Sequence, residues 1–397
     1  MKKNYVDLHI HSPFSLATSK KMDVDNLEIM AIKKGIDILA TGDIFHPEWQ
    51  NILKTKLVEK KDGFHKLKDG KTNFILSGEV SLVFGEVGKK KKVHVLILCK
   101  DFAETEKLTK IFSAYGKLKS NGRPFLKMSL KQLSDYIEKE TKDCFIIAAH
   151  IWTPHYSLFG SKSGFNSLEE AFEGKPTDRL IAMETGLSSD PPMNRLVKDV
   201  MRYTLVSNSD SHSPLKIGRE VNVFQNISSF DTLIKSIKTG KNFLYTIEFF
   251  PEEGKYFYDG HRKCSVSLHP EQTFKRKTIC PVCGKKLTVG VLNRVYELSK
   301  IHGEFKGETI PFKYSVPLIE IIAAVLKRKD NSPVVLREYY ALLDKIGKEF
   351  YILEEAEFDL IKKYSGEMLA KSITALRENR VKRIPGFDGQ YGKIIFE

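Results

Sequence analysis

His9 and His11 lie two residues apart at the end of a short apolar segment, so on an extended strand both imidazoles face the same way. Two imidazoles so placed can hold one metal ion. Asp210 and His212 repeat that spacing near the far end of the same region. Glu79 follows Phe-Ile-Leu-Ser-Gly, which reads as a strand ending in a tight turn. A carboxylate there can bridge two ions, whereas an imidazole nitrogen serves one. His94 and His150 supply further nitrogens, and Asp43 and Glu184 further carboxylates. A single histidine in an apolar segment is usually structural, and His65 and His302 are read that way. The whole set in one region predicts a polynuclear metal site.

Seven short apolar segments must position these groups: Tyr5–Leu8, Ile36–Ala40, Phe74–Leu76, Val93–Leu98, Phe145–Ala149, Leu180–Met183 and Tyr203–Val206. Each leads into a ligand-type residue, except that His94 sits at the start of its segment. Ligands delivered from the ends of many strands are how a parallel α/β barrel builds a site. Asp23–Lys34 reads as a helix closed by Gly35, and Ser129–Gln132 as a capping box opening a helix through Glu140. Ser229–Thr239 reads as a further helix ended by Gly240. This alternation implies βα units, a mostly parallel sheet and a distorted seven-stranded barrel over residues 1–245.

Residues 246–292 change character, gaining Gly, Lys, Pro, Cys and His and losing long apolar runs. Residues 293–397 are read as a helical C-terminal domain carrying Val316–Leu326, Pro333–Ile346 and Ala356–Leu376. The tail from Arg383 to Lys393 reads as loop.

Cys99 and Cys144 fall inside apolar segments and read as inert core residues. In contrast, His261-Arg-Lys-Cys264, fifteen residues, and Cys280-Pro-Val-Cys283-Gly284 have the spacing of a structural zinc knuckle pair. His261 is the expected fourth ligand, with His269 and Asp259 as competitors.

The chain carries 64 Lys+Arg against 50 Asp+Glu, a net charge of +14, which favours a polyanionic partner and nucleic acid first. Arg262, Lys263, Lys275, Arg276, Lys277, Lys285 and Lys286 around the cysteines are suited to gripping phosphates. No apolar run reaches the ~18 residues of a membrane span, and the start shows no signal-peptide apolar region, so a cytoplasmic protein is expected.

The strings Asp7-Leu-His9-Ile-His11-Ser12, Thr41-Gly-Asp43, Gly78-Glu79, Ala149-His150 and Ser209-Asp210-Ser-His212, with His94, resemble the polymerase-and-histidinol-phosphatase (PHP) superfamily of metal phosphoesterases. The resemblance implies a distorted seven-stranded PHP (β/α) barrel with two or three Zn, Mn, Mg or Fe ions. His9, His11, Glu79 and Asp210 would hold the first ion, Glu79, His94 and His150 the second, and His212 the third. The family often carries another histidine after the His-x-His pair, where this chain has Leu16-Ala-Thr18, and its Thr-Asp-His becomes Thr41-Gly-Asp43-Ile-Phe-His46. Asp43 or His46 is therefore expected to rebuild the third site.

Leu158-Phe-Gly-Ser-Lys-Ser-Gly164, Glu184-Thr-Gly-Leu-Ser-Ser-Asp-Pro-Pro-Met-Asn194, Ser211-His-Ser-Pro-Leu-Lys-Ile-Gly-Arg219, the cysteine-rich insert and Pro385–Gly392 resemble endonuclease Q, a DNA-repair branch of that superfamily. This second resemblance runs over essentially the whole chain. It implies cleavage of DNA 5′ to a deaminated base (hypoxanthine, uracil, xanthine) or an abasic site, leaving 3′-hydroxyl and 5′-phosphate. Catalysis would rest on His9, His11, Glu79, His150, Asp210 and His212. From the residues themselves, Ser161, Lys162 and Ser163 could bind phosphate oxygens, and Arg219 could clamp a phosphate or pair on the surface. Glu184 could orient a histidine or contact an unstacked base, and His155 reads as facing substrate or structural. A monomer is expected, and a sliding clamp is a candidate partner, although no clamp-binding peptide is evident at the tail. The rival readings are a PHP-type small-molecule phosphoesterase and a non-catalytic DNA-binding protein with a remnant barrel. The insert, the helical domain and the charge argue against the first, and the complete ligand set argues against the second.

Overall fold

The computed structural model describes residues 2–86, 90–302 and 310–396, apart from the side chains of residues 300–302, so the side chain of His302 lies outside the described residues. A large curled sheet organises the chain. Its strands run in the order Thr204–Val206, Leu180–Glu184, Cys144–Ala148, Lys91–Cys99, Asn73–Phe84, Ile38–Ala40, Lys3–Asp7, Val221–Gln225, Phe243–Glu248 and Phe312–Tyr314. Cys144–Ala148 and Leu180–Glu184 are buried at every position. Their apolar runs, broken only by Glu184 at the end of the second, follow because both faces are covered.

All seven predicted segments become strands, but the sheet is mixed rather than mostly parallel. Lys91–Cys99 runs antiparallel to both of its neighbours, Asn73–Phe84 and Cys144–Ala148. That reversal accounts for the position of His94. The start of a reversed strand lies at the same rim as the ends of the others.

The predicted seven-strand ring is not closed by a ladder. The free edge of Lys3–Asp7 is taken by Val221–Gln225, which pairs antiparallel with it and then with Phe243–Glu248. Side chains span the seam to Thr204–Val206 instead. Leu8 N donates to Asn208 Oδ1 at 2.9 Å, and Ser209 N donates to Asp7 Oδ1 at 3.1 Å. Asn222 Nδ2 donates to Ser207 O at 2.8 Å and to Val6 O at 3.2 Å. At the rim the two edges meet as backbone, in a bridge between Ile10 and Ser211, with His11 N donating to Ser211 O at 2.9 Å.

Local signals fix the helices. Asp23 caps Val24–Lys34, and Gly35 leaves it at φ 91°. Ser129 and Gln132 form a reciprocal capping box on Leu130–Glu140, and Ser229 with Thr232 on Phe230–Thr239. The sheet continues to Glu248, past the boundary expected at 245, and takes on Phe312–Tyr314 as a parallel strand. The C-terminal helices include Leu318–Leu326, Pro333–Lys345, Phe358–Ser365 and Glu367–Arg377, the last two parted at Gly366. The tail is not simply loop, since Val381–Ile384 pairs antiparallel with Lys393–Phe396. Among the described residues, no helix is long and apolar enough to cross a membrane.

Candidate metal centre and its surroundings

Three groups of ligand atoms converge at one rim of the sheet, each group lying within 4.8 Å: His9, His11 and Glu79; Glu79, His94 and His150; and His11, Asp210 and His212. Glu79 is common to the first two. Its Oε1 lies 2.7 Å from His94 Nδ1 and 3.0 Å from His150 Nε2, while its Oε2 lies 3.4 Å from His11 Nε2 and 3.7 Å from His9 Nε2. Asp210 Oδ1 lies 3.0 Å from His11 Nε2 and 3.7 Å from His9 Nε2. The carboxylate expected to bridge thus stands between imidazoles on both sides.

Glu79 does not follow a turn. Its strand runs unbroken from Asn73 to Phe84. Gly78 serves close approach instead, since a Cβ there would stand 2.9 Å from Phe45 Cδ2 and 3.0 Å from Ile44 N. Gly186 is needed on both counts: its φ is 60°, and a Cβ would lie 2.6 Å from His150 Cβ.

Two buried carboxylates set the imidazole tautomers. Both oxygens of Glu184 lie 3.0 Å from His9 Nδ1, and Asp43 Oδ1 lies 3.0 Å from His11 Nδ1. A carboxylate only accepts, so Nδ1 carries a hydrogen and Nε2 is turned to the centre, where a bound cation would take its lone pair. Glu184 also accepts from the His150 backbone N–H at 2.7 Å and from Asn208 Nδ2 at 2.9 Å. Asp43 accepts from Ser12 N at 2.7 Å, Ser12 Oγ at 2.6 Å and Ser15 Oγ at 2.8 Å.

These contacts bear on four expectations. Asp43 orients His11 and falls outside the three ligand groups. His46 does not rebuild a third site: it caps Pro47–Lys56, with Nδ1 accepting from Trp49 N at 3.4 Å, Nε2 3.3 Å from Lys119 O, and its ring stacked on Phe14. Glu184 is fully buried against His9, which is the orienting one of its two expected roles. Arg219 turns inward, its Nε donating to Ser209 O at 2.8 Å and its Nη2 to Asp210 O at 3.3 Å, and so braces the Asp210 turn rather than clamping a phosphate. Asp43, His150 and Asp210 have φ of 47°, 27° and 45°, a left-handed backbone that non-glycine residues seldom adopt and that collects at functional sites.

Arg123 was not singled out by any sequence motif, yet its Nη1 lies 2.9 Å from Glu79 Oε2. Burial works against ionising Glu79, but His94, Arg123 and His9 outweigh it and hold the carboxyl well below the usual range. Burial carries His94 down to about 4 against the pull of Glu79. For His11 the opposite balance holds: burial lowers it, but Asp43 and Asp210 raise it to about 9.

The donor set suits a divalent cation, being imidazole nitrogen and carboxylate oxygen. His9 Nε2 supports that fit, because it is buried without a hydrogen-bond partner between Glu79 and Asp210.

Beside His150 lies a cavity of about 570 Å³, lined by Thr153, His155, Lys162, Tyr256, Val289 and Tyr391 among others. Thr153 Oγ1 is 3.2 Å from His150 Nδ1, so the cavity and the ligand groups share a wall. Ser161 and Lys162 reach this wall, exposed. Ser163 is turned inward, donating to Lys92 O at 3.2 Å and accepting from Tyr156 N at 3.0 Å, and is not available to a phosphate.

His261, Cys264, Cys280 and Cys283 form a fourth group within 4.8 Å. The competitors for His261 are engaged elsewhere. Asp259 accepts from Gly290 N and Asn293 Nδ2, and His269 caps Pro270–Lys275. Val266, Cys280 and Leu287 form only a small core around the group.

Residues 317–380 match the family model described as the MJ0043 C-terminal domain. The protein MJ0043 of Methanocaldococcus jannaschii is 28% identical over 311 residues, which are 74% of this chain and 38% of MJ0043, so the chain spans well under half of that relative. YqxK of Bacillus subtilis is 27% identical over 99% of this chain and 100% of its own length. Among solved structures, the lesion-specific endonuclease PfuEndoQ of Pyrococcus furiosus superposes with a TM-score of 0.86 at 28% identity, covering 100% of this chain and 96% of that one. Endonuclease Q in complex with a 27-mer duplex bearing an abasic lesion at the active site gives 0.85 at 28% identity, covering 100% and 97%. Fold and length together group the chain with endonuclease Q.

Proposed function

We propose that the chain is a metal-dependent DNA-repair endonuclease. It hydrolyses the phosphodiester 5′ to a deaminated base or abasic site and leaves 3′-hydroxyl and 5′-phosphate ends. The observation that carries this reading is the three ligand groups joined through Glu79 and His11, in a fold shared over the whole chain with a structure that holds lesion DNA. In this reading the curled sheet is the catalytic PHP-type barrel, residues 246–292 a zinc module, and residues 293–397 a helical unit. Zn, Mn, Mg or Fe ions held by His9, His11, Glu79, Asp210, His94, His150 and His212 would supply Lewis-acid stabilisation of the phosphate and activation of the attacking water.

The chain's own residues do the rest. Glu184 and Asp43 hold His9 and His11 with Nε2 inward. Arg123 balances the charge of Glu79 and stands at the rim, where a phosphate oxygen would arrive. Lys162 and Ser161 bring polar groups to the cavity mouth. The cavity has room for an unstacked base, and Tyr256 and Tyr391 offer it aromatic faces. Arg262, Lys263, Lys275, Arg276, Lys277, Lys285 and Lys286 are all exposed on the insert, as phosphate contacts require. His261, Cys264, Cys280 and Cys283 would hold one structural zinc. The enzyme so described works in the cytoplasm as a monomer, on DNA.

The test is a gel assay with labelled duplexes carrying one hypoxanthine, uracil or abasic site beside an undamaged control, with manganese, magnesium or zinc. A single metal-dependent cut immediately 5′ of the lesion is expected. His9→Ala and Asp210→Ala should abolish it while retaining DNA binding. Full activity in either variant would sink the assignment, and turnover of a phosphomonoester without DNA cleavage would favour the small-molecule phosphatase.

A further inference from the structure

Cys99 and Cys144, read from sequence as inert, face one another across two strands. They are register partners in the antiparallel pair Lys91–Cys99 and Cys144–Ala148. Lys100 N donates to Asp143 O at 3.1 Å, which makes that neighbouring rung the hydrogen-bonded kind. The Cys99–Cys144 rung is therefore non-hydrogen-bonded, the kind in which Cα atoms stand ~4.5 Å apart and side chains are closest. That separation lies within the span a disulfide bridges. The two sulfurs are 3.0 Å apart, and both residues are fully buried.

We propose that Cys99 and Cys144 are a reversible disulfide site that clamps this rung of the sheet. The oxidant is a small-molecule disulfide such as oxidised glutathione. One protein thiolate attacks it, forming a mixed disulfide and releasing one small thiol. The other protein thiolate then displaces the second small thiol, closing the Cys99–Cys144 bond. Two protein thiols are oxidised, one small disulfide is reduced to two thiols, and the two protons end on the released thiols. Cys99 is five residues from His94, about 17 Å along the strand. The clamp thus sits at the opposite end from the ligand groups and leaves them in place. Burial pushes the Cys99 thiol well up, so closure in the folded protein is slow at neutral pH.

The full-length, metal-loaded protein is exposed to oxidised glutathione, and a second sample is refolded in a glutathione redox buffer, where both thiols are accessible. Each is alkylated in denaturant and mapped by mass spectrometry. The expected result is a linked 99–144 peptide pair that dithiothreitol releases. A rise of about 4 °C in the thermal midpoint accompanies it and is absent in Cys99→Ser and Cys144→Ser. Free, alkylated Cys99 and Cys144 in the refolded sample would overturn the proposal, as would stable glutathione adducts at these positions or linkage to Cys264, Cys280 or Cys283.

Discussion

Glu184→Gln separates an orienting carboxylate from a substrate contact. In the parent, three donors enter two oxygens: His9 Nδ1 at 3.0 Å to each, Asn208 Nδ2 at 2.9 Å to Oε1, and His150 N at 2.7 Å to Oε2. Glutamine keeps the shape but offers one acceptor and one NH2 group. If the NH2 replaces Oε2 it meets a backbone N–H, which cannot turn away. If it replaces Oε1 it meets Asn208, whose own oxygen already serves Leu8 N and Asn222 Nδ2. Either way one buried donor faces an NH2, and His9 Nδ1 keeps a single neutral acceptor in place of a charged carboxylate, which weakens the hold on its ring and lowers the basicity of Nε2. Loss of a charged hydrogen bond is worth roughly 1.5–3 kcal/mol, and at about 1.4 kcal/mol per decade that is about 10- to 100-fold in metal affinity. The assay is competitive metal titration, with cleavage measured at limiting and saturating metal. Cleavage should fall most at limiting metal and recover in part at saturation. Parent-like metal affinity with altered lesion preference would refute the orienting role and restore Glu184 as a base contact.

Three further perturbations probe other levels of the structure. Gly78→Ala forces a Cβ to 2.9 Å from the buried Phe45 ring, and should lower stability in urea by about 1–3 kcal/mol; an unchanged midpoint would show that the Ile44–Phe45 segment yields freely. Cys280→Ser should lose one equivalent of bound zinc by elemental analysis and weaken DNA binding, while metal at the Glu79 centre stays; a full zinc complement would contradict the knuckle. Glu253 is pushed up to about 8, by burial first and then by Glu320 and Glu252. Its folded pKa lies above its unfolded value, so its stabilisation is complete below pH ~4.5 and is lost as pH rises through about 8. Glu253→Gln should therefore lose less stability than the parent between pH 5.5 and 8.5, by on the order of 1 kcal/mol, and parallel pH profiles would exclude that burial effect.

What was legible in sequence was local. The Ser129–Gln132 capping box, Asp23 with Gly35, and the apolar strand runs are each read within a few residues. The side chains that converge at the rim were legible as candidates too, because His and carboxylate residues stand out in or beside apolar strand runs. Partners across the fold were not. Nothing near Arg123 announces that it will meet Glu79, and nothing near His46 shows that both its nitrogens will be engaged by a helix start and a carbonyl. The strand Val221–Gln225 was passed over, and it takes the edge that a closed ring would have needed. Strand direction was also hidden, since alternation reads the same in either sense.

That hidden direction decides the second ligand group. In the antiparallel register Glu79 stands opposite Leu96, and His94 is two residues along on the same face, so the two are diagonal neighbours. On the other edge Val95 pairs with Ala148, and Ala149 N donates to His94 O at 3.3 Å, which carries His150 alongside His94. Two ladders thus deliver two nitrogens to one carboxylate oxygen, His94 at 2.7 Å and His150 at 3.0 Å. A parallel Lys91–Cys99 would place His94 at the opposite rim, about five residues from its partner. A one-residue slip against Asn73–Phe84 would turn it to the opposite face of the sheet from Glu79. The convergence of His94 and His150 on Glu79 is therefore a consequence of backbone register, held by the whole sheet rather than by those side chains themselves.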